Sequence, residues 1–233
     1  MKSRALALLV VVLGASPFVC AESFPSTQPY KPAQARRHFI SITVDKQFVQ
    51  PYGFEKHPLE ELLGQDVNEV HFESFQYRTA DGRTTATVLE YGKDGMGIGA
   101  TVYPFGASAG PTLAIRGSIE SLPTIRVQID GPSPVALYQL TGGRAMDVGA
   151  GIEMSDRAPG FGLGAHAFVL GGIGRVNTDL LDGRRYWVEG GGGVSSGPFG
   201  VDLSFKYAVN QFSEPVSHSV HMIPINLRFS LTF

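Results

Sequence analysis

The stretch Phe199-Gly200-Val201-Asp202-Leu203-Ser204-Phe205-Lys206-Tyr207-Ala208-Val209 puts a large apolar residue at every odd position and a small or charged one at every even position. Successive side chains of extended backbone point to opposite sides, so this period of two marks a strand with two unlike faces. The last segment repeats it. Ile223, Ile225, Leu227, Phe229, Leu231 and Phe233 share one face, while Asn226, Arg228, Ser230 and Thr232 share the other. Both runs reach the roughly 9–11 residues that a tilted strand needs to cross a bilayer.

The same rule holds upstream. Ile40, Ile42 and Val44 alternate with Ser41, Thr43 and Asp45, and Met146, Val148, Ala150, Ile152 and Met154 alternate with Asp147, Gly149, Gly151 and Glu153. The alternation predicts strands over 38–49, 69–79, 84–92, 95–104, 111–120, 144–155, 161–175, 184–194, 199–209 and 218–233, about ten in all. Eight result if one early hairpin lies outside the wall. Twelve result if 121–143, where Ile125, Val127 and Ile129 alternate with Arg126, Gln128 and Asp130, adds two. Turn signals such as Ala80-Asp81-Gly82-Arg83 and Ser195-Ser196-Gly197-Pro198 separate the runs. Counted back from Phe233, short and long connections alternate over the last five strands, as a barrel with short turns at one end and longer loops at the other requires.

Composition narrows the class. Charged residues are 17% of the 233-residue chain and Gly numbers 29, against averages of about 25% charged and about 7% Gly. The net charge of −2 comes without a dense basic cluster, so nucleic acid is not an expected partner. Lys2 and Arg4 followed by the apolar run Ala5 to Gly14 read as a secretory signal, with cleavage expected after Val19-Cys20-Ala21. The expected division is therefore a signal peptide at 1–21, a Pro-rich periplasmic leader at 22–37 and a barrel at 38–233. Pro17-Phe18-Val19 is a poor lipobox, so Cys20 is read as leaving with the signal. Beyond the signal there is no run of about 18 apolar residues, so any membrane crossing must use strands.

Alternation alone also suits a soluble β-sandwich. Aromatics near strand ends, among them Tyr103, Phe105, Phe161, Phe199, Tyr207 and Phe233, favour a barrel with interfacial girdles. The segment Asn226-Leu227-Arg228-Phe229-Ser230-Leu231-Thr232-Phe233 resembles the terminal assembly signal of Gram-negative outer-membrane proteins, carried by Leu227, Phe229, Leu231 and Phe233. That pattern often has Gly where Arg228 stands. Together with the signal and the strands, the segment resembles the class of small outer-membrane barrels typified by the OmpA membrane domain and OmpW. The resemblance implies an all-β, closed antiparallel transmembrane barrel in the outer membrane, insertion by the barrel-assembly machinery, and contact with outer-membrane lipids and lipopolysaccharide. It identifies no subfamily or ligand.

Several charges fall on the polar faces of their strands: Arg116, Glu120, Asp147, Glu153, Glu189, Asp202, Lys206 and Arg228. Isolated charges away from water are costly, so these are expected to pair into an interior plug network; a selective pore lining is the other reading. Ser219 and His221, two apart on one face with Glu214 nearby, form the one catalytic alternative, a lipid hydrolase. Outer-membrane deacylases and phospholipases place histidine before serine, and here the order is reversed. The Gly-rich runs lead into no convincing helix, so phosphate cradles are not expected. His38, His57, His71 and His166 are dispersed, and neither a metal nor another cofactor is assigned. The expected function is an envelope structural role or a narrow passive channel. The alternatives are the hydrolase and adhesion or partner binding through outer loops, above all 50–68 and 121–143.

Overall fold

The computed structural model describes residues 38–49, 56–71, 75–92, 94–107, 109–132, 134–156, 163–177, 182–214 and 217–233. The expected signal and leader, residues 1–37, lie outside the described residues.

Eight antiparallel strands form a closed barrel. In chain order the elements are β1 (His38–Val49), α1 (Lys56–Leu63), β2 (Val67–His71), β3 (Gln76–Thr79), β4 (Thr85–Tyr91), β5 (Asp94–Ala107), β6 (Gly110–Ser121) and β7 (Ile125–Asp130). They continue with β8 (Ala136–Thr141), β9 (Arg144–Ser155), β10 (Leu163–Asn177), β11 (Asp182–Ser196), β12 (Phe199–Glu214), β13 (His218–Met222) and β14 (Pro224–Thr232). Around the wall the order is β1-β5-β6-β9-β10-β11-β12-β14, and β14 returns to β1. Closure leaves the wall no free edge. β13 continues the line of β14 beyond Ile223 and extends the pairing with β12, from Ala208↔Met222 to Phe212↔His218.

Two expected wall strands, 69–79 and 84–92, are corrected by this topology. The strands found there, β2, β3 and β4, do not enter the barrel; they belong to a second antiparallel sheet of order β2-β3-β4-β7-β8. The wall therefore has eight strands, the count expected if an early hairpin lay outside it. The 121–143 stretch supplies the other two strands of that second sheet, not wall strands. Among the described residues, no helix is long and apolar enough to cross a membrane.

The two ends of the barrel differ. β1 starts and β14 finishes at one end, the terminal end, where β5 connects to β6 and β11 to β12 through two residues each. The opposite end, the loop end, carries the 50–93 and 122–143 excursions that build the second sheet. A core of Leu59, Val67, Tyr77, Ala86, Ile125, Val127, Ile129 and Leu140 joins α1 to that sheet. Backbone bonds join the segments that link this sheet to the wall, with Gly92 N–H donating to Thr124 O at 2.8 Å and Leu122 N–H to Gly143 O at 2.8 Å.

The barrel turns its apolar side chains outward. Ile42, Val44, Ile98, Ile119, Val148, Ile152, Val169, Leu203, Phe205 and Phe229 are all exposed, whereas Asp45, Arg116, Glu120, Asp147, Arg185, Glu189, Asp202, Lys206 and Arg228 are buried inside. This reverses the polarity of a water-soluble sandwich, whose alternating strands bury their apolar face.

Candidate functional site

The interior is the most chemically loaded part of the molecule, and the strand period explains why. With one face of every wall strand turned outward, the other must fill a narrow cylinder, and small residues make room for large ones. Gly149 on β9 and Gly172 on β10 lie under the Trp187 indole: a Cβ at those positions would come within 2.5 and 2.8 Å of the ring.

Two linked ionic groups cross the lumen. In the first, the Lys206 ammonium donates to Glu120 at 2.6 Å and to Asp147 at 2.8 Å, and stands 4.7 Å over the Trp187 ring. The Arg185 guanidinium approaches the same carboxylates at 3.1 and 3.6 Å, as ion pairs without hydrogen-bond alignment. In the second, Arg228 donates through Nε to Asp45 at 2.9 Å and through Nη2 to Glu189 at 2.6 Å. Arg116 donates to the other oxygen of Asp45. Ser204 and Asn226 add hydrogen bonds to Glu189. Each carboxylate in these groups has at least one cation, the condition under which buried charge is tolerated.

Toward the terminal end the network thins. His166 Nε2 lies 2.7 Å from Asp202 Oδ1, and the Tyr103 hydroxyl donates to Glu153 at 3.0 Å. With Phe168 and Arg228 these side chains line a cavity of about 50 Å³. Toward the loop end the lumen turns apolar: Leu122, Ala145, Val176, Phe212, Val220 and Met222 close together. The His218 ring stacks on Phe212 at 5.0 Å and hydrogen-bonds Leu140 O of the second sheet at 2.8 Å.

All eight charges expected on lumen faces lie inside the barrel. Arg116, Glu120, Asp147, Glu189, Lys206 and Arg228 join the two ionic groups, while Glu153 and Asp202 line the terminal-end cavity. Asp45, Arg185 and the His166 partnership were missed as network members. Their strand parity was readable: Asp45 alternates with Val44, and Arg185 shares the parity of Trp187 and Glu189. The residues expected to carry an assembly signal, Leu227, Phe229, Leu231 and Phe233, lie on or just beyond β14, whose end is stitched to β1 by Phe233 N–H to Ile40 O at 2.8 Å and Phe39 N–H to Phe233 O at 3.0 Å.

The catalytic alternative is not assembled. The Ser219 hydroxyl is held by both oxygens of Glu61 on α1, each at 3.1 Å, and His221 Nδ1 is held 2.7 Å from the Tyr207 hydroxyl. In the Ser219–His221 arrangement the imidazole would have to be the direct partner of the serine hydroxyl, and here a carboxylate has that place. The side chain of Glu214 lies outside the described residues. His57 stands 5.3 Å from His221, centroid to centroid. Burial, with His57 adding to it, holds the His221 imidazole below the ordinary histidine range, and Glu61 acts the other way. Among the described residues no cluster of three His, Cys, Asp or Glu is arranged to hold a metal ion.

Comparison with protein-family models, curated proteins and solved structures returned no match to the chain.

Proposed function

We propose that this chain is an outer-membrane β-barrel with a sealed lumen, serving as an envelope anchor that presents its second sheet outside the membrane. One observation carries the reading: the apolar exterior and ionic interior of the eight-stranded wall. Water is a poor solvent for that exterior, and hydrocarbon requires a wall with no unpaired backbone, which closure supplies. The spanning band runs on β12 from Phe199 to Tyr207, with its counterparts on the neighbouring strands. The terminal end, where β5–β6 and β11–β12 each connect through two residues and β14 ends, is the periplasmic side of this reading. The loop end is the outer side.

The sealed lumen favours the structural role over the passive channel. A charged layer and an apolar layer both block the axis. The two loops expected to carry recognition, 50–68 and 121–143, contribute to one folded sheet with its own core, which supports a rigid partner-binding platform over adhesion by separate loops. The test is recovery from membranes together with heat-modifiable gel mobility. The expected result is a band that migrates faster unheated than boiled. Mobility independent of heating, with the protein recovered in the soluble fraction, overturns the reading.

A further inference from the structure

Three arginines stand together where the apolar exterior gives way to the loop end. Arg144 on β9, Arg175 on β10 and Arg184 on β11 are all exposed on the outer face. Each lies two residues beyond an exposed member of the apolar band on its own strand, respectively Met146, Ile173 and Tyr186. Arg175 and Arg184 are direct cross-strand partners. Arg144 pairs with Asn177, two residues from Arg175 on the same face.

Like charges placed directly opposite on neighbouring strands repel, and the pair persists only where something offsets the repulsion. Asp182 does this for one of the three: it accepts from Arg175 Nε at 3.1 Å and Nη2 at 2.7 Å. Beside the pair a groove of about 620 Å³ is lined by Arg175, Arg184, Gln211, Ser213 and Ser217, and by the Asp182 carboxylate, whose charge Arg175 already offsets. It therefore offers guanidinium donors suited to phosphate oxygens, and amide and hydroxyl groups suited to a sugar.

We infer that the Arg144, Arg175 and Arg184 cluster with its adjoining groove binds the phosphorylated sugar headgroup of an outer-leaflet glycolipid, whose acyl chains lie along the apolar band below. The inference rests on the membrane reading. That reading places the groove at the level of the outer headgroups, directly above Met146, Ile173 and Tyr186. A guanidinium at this depth is tolerated, because charge costs little near the interface compared with the midplane, and its stem covers apolar surface while its head reaches the headgroup layer.

The test uses the full-length protein extracted in neutral detergent, with lipid binding measured by native mass spectrometry. The probes are bisphosphorylated lipid A, the same lipid with its phosphates removed, and inorganic phosphate as competitor. The variants are Arg144→Gln/Arg175→Gln/Arg184→Gln and the charge-keeping Arg144→Lys/Arg175→Lys/Arg184→Lys. The expected result is that wild type binds the phosphorylated lipid at least about tenfold more tightly than the glutamine variant, the loss expected of missing charge-assisted hydrogen bonds. The lysine variant should fall between them, the dephosphorylated lipid should bind weakly, and inorganic phosphate should not displace the lipid. Equal binding by wild type and glutamine variant, or equal binding of the two lipids, overturns the assignment. Displacement by inorganic phosphate at matched concentration identifies a free anion as the occupant and also overturns it. Heat-modifiable mobility, recorded for every variant, separates the failures: its loss in wild type refutes the membrane reading, whereas equal binding by heat-modifiable proteins refutes only this site.

Discussion

Lys206 shows how a residue of ordinarily exposed type becomes an interior one. Its side chain is 1% exposed, held between Glu120 and Asp147, with the Trp187 face beneath its ammonium. Removing one partner of a buried pair leaves the other charges without compensation, a loss of about 3–5 kcal/mol. Lys206→Met should therefore lower the guanidinium unfolding midpoint of the detergent-solubilised protein by an amount corresponding to a loss of that size. Adding Glu120→Gln to it should recover part of the loss, because one fewer carboxylate then lacks a cation. An unchanged midpoint in Lys206→Met would show that Arg185 alone neutralises both acids. Polarity at this scale was readable from sequence, since position 206 shares its strand face with Asp202 and Ser204. The partners were not: Glu120 is 86 residues away and Asp147 is 59, and strand parity carries no information about which distant strand lies across the lumen.

The terminal strand gives Arg228 a specific place. This residue stands where the terminal pattern that the segment resembles often has glycine, and the seam gives it a structural role. β14 joins the first strand to β12, and Arg228 spans from Asp45 on β1 to Glu189 on β11. Arg228→Gly would restore the commoner pattern yet leave Glu189 without its hydrogen-bonded cation. The expected outcome is a smaller heat-modifiable fraction after refolding into detergent; a fraction equal to wild type would show that backbone pairing alone secures the seam. In the second sheet, the β3–β4 turn depends on one carboxylate: Asp81 accepts from the Thr79 hydroxyl at 2.6 Å and from Arg83 N–H at 3.0 Å, and the Thr79 bond is the main cause holding its pKa below the ordinary aspartate value. A lowered pKa in the folded state means a contribution present above the unfolded value and lost as pH falls through the folded one. Protection of the Arg83 amide against hydrogen exchange, measured relative to Asp81→Asn, should accordingly vanish on acidification; a ratio constant with pH would remove Asp81 from the turn's stability. Both strands of this hairpin were assigned to the wall by their period, because period two is common to a wall strand and to any half-buried strand. Length does not separate them in the sequence either, because 69–79 reads as one continuous run; only the structure divides it into β2 and β3, of 5 and 4 residues, whereas β9 to β12 have 12 to 16.

At the scale of the whole molecule, the barrel is closed by two chemically different layers stacked along its axis. The ionic layer resists an entering ion because every carboxylate in it already has a cation. The apolar layer around Phe212 and Met222 resists water, since its lining offers few hydrogen bonds to replace those of bulk solvent. On the sealed-barrel reading either layer alone stops conduction, so the two act as independent barriers and single lesions should be silent. Wild type reconstituted in planar bilayers should give no unitary current, and neither should Phe212→Ala, which opens the apolar layer but leaves Lys206 and Arg185 in place. Nor should Lys206→Ala/Arg185→Ala, whose lumen is still capped by Phe212. Current is expected only when all three substitutions are combined in a protein that retains heat-modifiable mobility. Its preference should be for cations, because Glu120 and Asp147 then line the opened path without their partners. A wild-type protein that conducts reproducibly would refute the sealed-barrel reading and return the passive channel to first place. Anion selectivity in the triple variant would show that the path runs past Arg116 and Arg228, outside the layer these substitutions open.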